Sequence, residues 1–506
     1  MIEFVKGTVI EERAINEAEA VVYATLFNQY YLHNIIFPKR RIEKMTSQNK
    51  IKPGRFGSEQ GDVNTTLNRQ KYWEKNLSKT AKSICSRDNK YFLHQNLSTP
   101  VMNVLSKAHG IYIEDMEGKK YMDMHGNGVH NAGFNNPQII QAVKDQLDSQ
   151  MTFCPRRYTN AKAVDLAEKL AEVTPGDLCK SLFCPGGSEA IEMAITLAKQ
   201  VTGHHKTISF WDSFHGAGFA AASVGGEELF KGGIGPMMPG SMHVEFPNYY
   251  RNPWGFSSLD EVDDEYLRQI KTIMEREPGI ATIIGEPISA TPVVPSKNYW
   301  ECVKDLCEKY GALIIFDEVI EGFGRTGKMF ASEHFITPDV LVLGKSMGGG
   351  LLPFAGIVTK QCYDHLEHRS IGHYTHEKNA LCSAVALAEI EYIQTNNLVE
   401  NAAMIGDHAL SRLNELKQKH RLIGNIAGVG LHIGIDLVKD PKTKERAVEE
   451  ADCIMYKAME RGLAFKTIEG NIITLRPALT ITIEEMDQVV DILDDTIGEV
   501  ENGQFY

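Results

Sequence analysis

The sequence predicts an α/β protein with a large domain on a mostly parallel sheet between helices, plus a smaller α+β domain. Three observations predict it. The first is a set of short apolar runs, "ATIIGEP", "ALIIFDEV" and "VLVLGKS", which are continuous rather than alternating and are separated by helical patterns. Strands buried on both faces of a parallel sheet read this way. The second is a change from about Leu381, where the text turns helix-rich before strand-like pieces return. The third is length: 506 residues exceed one simple core, and 43% hydrophobic with 24% charged residues is ordinary globular composition.

Taken in order, residues 1–95 read as an N-terminal arm or extension. "INEAEAVVYATLFNQYYLHNIIF" has the pattern of an amphipathic helix, and "SQNKIKPGRFGSEQGDVNTT" is polar, like a linker; Met45 at its edge leaves a later start open. Residues 96–150 are assigned to the N-terminal part of the small domain. There "GIYIEDMEGKKYMDMHG" reads as two short strands around a turn at Glu117 and Gly118, followed by a helix in "NPQIIQAVKDQLDSQ". Residues 151–380 form the large domain. "AVDLAEKLAEVTPG" has apolar residues at three- and four-residue spacing and a Pro-Gly stop, and "SLFCPGG" leads into the helical "SEAIEMAITLAKQVTG". Residues 381–506 are the C-terminal small domain, with helices in "AVALAEIEYI" and "MIGDHALSRLNELKQKH", strands in "GVGLHIGIDLV" and "IITLRPALTIT", and a last helix from Ile483 to about Val500.

Charge and cysteine usage exclude several functions. Net charge is −13 with no run of five or six basic residues, so no nucleic-acid surface is expected; "FPKRR" is too short to change that. Nine scattered cysteines without a CxxC pair argue against a zinc site and a disulfide framework and fit a reducing cytoplasm, and no metal is expected. No apolar run approaches the roughly 18 residues of a membrane helix, and no signal-peptide core opens the chain. A soluble cytoplasmic protein is the expectation.

Functional residues of such folds gather at the carboxyl ends of strands. There "IIFDEV" ends in Asp317 and Glu318, and "VLVLG" ends at Lys345. A lysine amine that forms a Schiff base with an aldehyde, and an acid that keeps a pyridine nitrogen protonated, are what pyridoxal phosphate requires. A single lysine is more often a solvated loop residue, but Lys345 directly follows a buried run and precedes "SMGGG", a flexible turn suited to close backbone approach. "CPGGSEA" offers Gly186, Gly187 and Ser188 at a helix start, with Ser188 at or near the N-cap, as a phosphate site.

With these stretches in hand, the chain resembles the class III aminotransferases of fold type I. The likeness is carried by "LFCPGGSEAIEMAITLAK", "SFHGAG", "GEPI", "IIFDEVIEGFGRTGKMFASEHFITPDVLVLGKSMGGGLLPFAGIV" and "GHYTHEKNALCSAVALAEIEYI". The resemblance implies a seven-stranded sheet in the large domain and pyridoxal 5'-phosphate as cofactor. By it, Lys345 is the Schiff-base lysine and Asp317 partners the pyridine nitrogen. Phe214 covers the ring with His215 beside it, Glu286 lies near the cofactor, and Gly187 and Ser188 hold the phosphate. Thr375 reaches that phosphate from the other subunit of a homodimer with shared active sites, while Glu318 and Arg325 match motif positions with structural roles.

The chain also departs from the common pattern. Where many members have "EPVQG" it has "EPISATPVVP"; "DEVQTG" becomes "DEVIEG", with Ile320 and Glu321; and Thr474 stands where many have a carboxylate-binding arginine, although Arg476 is close. "MDMHGNGVHNAGFNNP", "CPRRYTN" and the long "WDSFHGAGFAAASVGG" stretch look instead like a lyase branch, bacterial ammonia-lyases of a hydroxy-aminoethylphosphonate. That likeness implies elimination on a small anionic amine. Guanidinium groups suit a phosphonate, so Arg156 and Arg157 are candidates with Arg476 behind them, and His125, Asn127 and His130 are possible substrate contacts. An ω-aminotransferase, or a phospholyase acting on an O-phosphorylated amine, is the alternative.

Overall fold

A computed structural model describes residues 66–95, 98 and 101–505. The helix expected near residues 15–37 and most of the polar stretch after it lie outside the described residues. Residues 67–91, placed by sequence in an extension, form two helices, Leu67–Asn76 and Lys79–Tyr91. Thr66 and Ser78 start them by accepting from the N–H groups of Arg69 and Ala81. Tyr72, Ala81 and Cys85 are buried, and Asn68 bonds Asp452 at 2.7 Å, so this part of the extension folds onto the helix Val448–Glu460. Its apolar residues at helical spacing had a core to join.

The chain continues as an antiparallel meander, β1 (Leu105–His109), β2 (Tyr112–Asp115) and β3 (Lys120–Asp123). The large domain follows with β4 (Leu178–Cys184), β5 (Lys206–Phe210), β6 (Ser241–Val244), β7 (Ile280–Gly285), β8 (Leu313–Asp317), β9 (Val340–Leu343) and β10 (Ala355–Lys360). They build one seven-stranded sheet in the order β4-β10-β9-β8-β7-β5-β6. Every residue of β7, β8 and β9 is buried, as continuous apolar runs require. The sheet is mostly parallel, as expected, except that β10 is antiparallel to both neighbours. Its reversal has a simple cause. Only a short 3-10 turn, Lys345–Gly348, stands between β9 and β10, and a parallel return needs a longer crossover.

The C-terminal part contains β11 (Ile423–Val429), β12 (His432–Asp440), β13 (Glu445–Arg446), β14 (Leu463–Ala464), β15 (Lys466–Ile468) and β16 (Ile472–Leu475). Four of them form an antiparallel sheet ordered β11-β12-β16-β15, with β13 added to β12. β14 pairs in parallel with β3, Leu463 opposite Met122, which ties residues 105–123 to this region. The last helix, Ile483–Glu501, starts at a capping box in which Thr482 and Glu485 satisfy each other's backbone N–H. Among the described residues no helix is long and apolar enough to cross a membrane.

Candidate active site

The carboxyl ends of the central strands place the chemistry. Asp317 closes β8; its Oδ1 accepts from the Val319 N–H at 3.0 Å, and its Oδ2 lies 2.8 Å from Nδ1 of the buried His215. Burial works against a charged imidazole, yet the bond to Asp317 and the charges of Asp317 and Glu286 hold the His215 pKa above its ordinary value. Glu286 follows β7, is buried, and accepts from the Ala290 N–H at 3.0 Å. Burial pushes its carboxyl up to about 7.

Lys345 comes one residue after Gly344 at the end of β9, with φ at +44°. Left-handed backbone at a side-chain-bearing residue persists only where the surroundings impose it, and it clusters at functional positions. Burial lowers the pKa of its amine, against the pull of Asp317 and Glu321, which favours the nucleophilic free base. Gly128 packs on its stem: a Cβ there would stand 3.3 Å from Lys345 Cδ.

Lys345 opens into a cavity of about 250 Å3 that Phe214, His125, Asn127 and Arg476 also line. Phe214 packs on Phe230, ring centroids 4.4 Å apart. His125 and Asn127 are carried by a turn that Asp123 holds, accepting from the N–H groups of His125 at 2.9 Å and Gly126 at 3.0 Å. Arg476 leaves β16 buried; it donates through Nη2 to the Ala290 carbonyl, and among the described residues its Nε has no partner. Thr474 instead donates to the Lys466 carbonyl at 3.0 Å within the sheet, so the arginine that reaches this cavity comes two residues after the family's usual position.

The other candidates lie elsewhere. Arg156 and Arg157 are exposed, and Arg156 contacts His373. Asn160 bonds the Lys378 carbonyl at 2.9 Å and Phe153 meets His376 edge-on at 5.4 Å, so the "CPRRYTN" segment packs on the exposed segment of Thr375. Neither segment lines the Lys345 cavity. His130 is buried against Phe134 at 4.6 Å, burial pushes its pKa down to about 3, and it too stays out of the cavity. Glu318 turns away from the site to accept from the N–H groups of Ala331 at 2.5 Å and Ser332 at 2.7 Å. Arg325 bonds the carbonyls of Leu431 and Pro477 and Asn131 Oδ1. Both are structural.

Ser188 is not the helix cap. Gly186 is, in extended conformation and without a side-chain cap bond, and Ser188 is the second residue of the helix Gly187–Thr202. The first N–H groups of a 16-residue helix therefore point outward uncapped, an arrangement suited to a phosphate. Ser188 Oγ accepts from the Ala217 N–H at 3.2 Å, which joins the helix start to the loop carrying Phe214 and His215. His215 Nε2 is buried without a partner among the described residues. An acid at a strand end, a strained buried lysine and an uncapped glycine helix start fit pyridoxal phosphate.

Sequence reasoning gave no site role to several side chains here. Lys466 and Glu227 line the Lys345 cavity. Val319 has its methyls 3.3 to 3.7 Å from where side chains at Gly344 and Gly187 would begin, so it fills the gap between lysine and helix start. Glu321 is fully buried, and among the described residues neither oxygen has a hydrogen-bond partner. Val319 was legible, since it follows Asp317 and Glu318; Lys466 sits in a short strand with no pattern of its own.

Comparison with known proteins agrees with this geometry. The aminotransferase class-III family model matches residues 94–497. The chain is 41% identical over 475 residues to the (R)-1-hydroxy-2-aminoethylphosphonate ammonia-lyase of Vibrio splendidus, across 90% of this chain and 98% of that one. It is 33% identical over 442 residues to the isoleucine 2-epimerase of Lentilactobacillus buchneri, across 85% and 97%. Among solved structures, the omega transaminase of Pseudomonas jessenii in complex with PMP matches with a TM-score of 0.78 at 29% identity, covering 83% of this chain and 99% of that one.

Proposed function

The chain belongs to the class III aminotransferase family, a pyridoxal-phosphate family of fold type I, and from that premise we propose that it is an ammonia-lyase. Its substrate is (R)-1-hydroxy-2-aminoethylphosphonate, and its products are phosphonoacetaldehyde and ammonia. The observation that carries this reading is the likeness to the Vibrio enzyme along almost the whole of both chains. The departures at "EPISATPVVP" and "DEVIEG" favour it over amino exchange.

When bound, pyridoxal phosphate supplies an aldehyde for the substrate amine and a ring that takes up the electron pair left by a departing proton. Asp317, bonded to His215, would pair with the ring nitrogen; Gly187, Ser188 and the uncapped helix start would hold the phosphate; Phe214 would pack on the ring, and Glu286, buried after β7, would lie nearby. Lys345 Nζ takes the proton from the amine-bearing carbon and returns it to the departing hydroxyl, which leaves as water. The released enamine adds water and splits into aldehyde and ammonia, so atoms balance. Arg476, Lys466, His125 and Asn127 hold the phosphonate. In a homodimer Thr375 of one protomer reaches the phosphate bound by its partner, and Arg156 and Arg157 travel with it. The reaction is placed in the cytoplasm, and its substrate makes it a step of phosphonate breakdown.

One assay tests the reading. The holoenzyme is incubated with the hydroxy-aminoethylphosphonate, with ethanolamine phosphate, and with an amine plus pyruvate, while ammonia, phosphate and alanine are followed. Ammonia without phosphate is expected; phosphate release would make it a phospholyase, and alanine a transaminase. Lys345→Ala is expected to abolish turnover and the absorption band of lysine-bound cofactor.

A further inference from the structure

A second cavity, of about 330 Å3, adjoins the one that holds Lys345. Asp212, Thr291 and Glu469 line both, so these three residues form the partition. Part of that wall is the segment "EPISATPVVP", which departs from the family pattern and has no role in the proposed elimination beyond Glu286. Ala290 faces the Lys345 cavity, Ser289 and Val293 face the second, and Thr291 faces both. Asp212 and Glu469 hold left-handed backbone, with φ of +60° and +52°. Such strain in side-chain-bearing residues gathers at ligand sites and switches.

The lining chooses among ligands. Arg251 is already engaged, bonding both oxygens of Asp436 at 2.7 and 2.6 Å and the Lys444 carbonyl at 2.7 Å. Arg446 is ion-paired with Glu469 and bonds Asn471 at 2.7 Å. Neither has charge to spare for an anion. Among the described residues, no hydrogen-bond or ion-pair partner meets the carboxylates of Asp212 and Glu245, which line the same space. Trp254 stands at the exposed mouth, edge-on to Tyr266 with centroids 5.1 Å apart. Trp211 already carries the Lys231 ammonium 4.7 Å from its ring centre, so this wall binds such a group within the fold itself. The charges of Arg446 and Lys231 act on Asp212 without bonding it, and carboxylates free of a direct partner beside aromatic rings attract organic cations.

We propose that the second cavity is a binding site for an organic ammonium with an apolar body, a vestibule from which an amine passes Asp212, Thr291 and Glu469 to reach Lys345. The site suits an amine with an apolar body and no anionic group, since its carboxylates repel a phosphonate, so it stands or falls separately from the phosphonate reading.

Phenyltrimethylammonium is the probe, because without an N–H it cannot condense with the cofactor aldehyde. Titrated calorimetrically into holoenzyme, it is expected to bind saturably at one site and leave the cofactor absorption band unchanged. Glu245→Gln and Trp254→Ala are each expected to weaken that binding by about fivefold or more. Glu245→Gln, isosteric and exposed, keeps the test open should Trp254→Ala fail to fold. The saturating probe is expected to raise the KM of a neutral alkylamine substrate. Absence of saturable heat, an affinity unchanged in Glu245→Gln, or a KM untouched by the probe overturns the proposal.

Discussion

His215 Nδ1 stands 2.8 Å from Oδ2 of Asp317, with both side chains buried at the carboxyl edge of the sheet. The two residues come from different strand ends, and their bond aims the acid that defines the site. Because the folded pKa of His215 is raised, stability from the pair is full below the unfolded value of roughly 6.5 and is lost as pH climbs through the folded value. The thermal unfolding midpoint of the wild type is expected to decline through that window, with a flatter decline in His215→Asn. Parallel profiles would show that the pair contributes nothing.

Lys466 and Arg476 line the same cavity as Lys345. Lys466→Ala or Arg476→Ala is expected to raise the KM for the phosphonate by about 10- to 100-fold, the worth of a charge-assisted pair. The KM for a neutral alkylamine should change little. Steady-state kinetics on both amines checks it; equal effects on the two would remove the anion-binding role.

Gly216 has φ of +126°, and a Cβ there would lie 2.3 Å from Ser188 Oγ and 2.9 Å from Ser188 Cα. Gly216→Ala must therefore shift the helix start, and cofactor retention after dialysis, read by absorbance, is expected to fall about tenfold or more. Gly203 caps the other end of the same helix with nothing within 4 Å of an added Cβ. Gly203→Ala is expected to cost only about 1 kcal/mol of stability and leave cofactor retention unchanged.

Glu318 receives two backbone N–H groups, from Ala331 and Ser332, in full burial. Glu318→Ala strands both donors and is expected to destabilise by about 2 to 4 kcal/mol. Glu318→Gln, which keeps one acceptor oxygen, is expected to lose less. Denaturant unfolding of the three proteins measures the difference.

Much of this was legible in the chain itself. Buried strands β7, β8 and β9 announce themselves as apolar runs because both faces are covered, and their ends name Glu286, Asp317 and Lys345. Helix starts such as Asn136 and Thr482 are local chemistry, and local chemistry is written in sequence. The reversal of β10 was not read, although the short turn before it required it. The helices Leu67–Asn76 and Lys79–Tyr91 were passed over because their apolar positions gain meaning only against a distant core, for the first a helix some 380 residues away.

The sequence by itself determined the cofactor chemistry, since a strand-terminal lysine, a strand-terminal acid and a glycine helix start each follow from a few adjacent residues. Tertiary structure alone decided which charges share a cavity. Lys466 and Arg476 join Lys345 there, whereas Arg156 bonds His373 beside Thr375 and Arg157 is exposed. The physical reason is that electrostatic recognition depends on distance and burial in space, and side chains more than a hundred residues apart acquire both only when the sheets pack.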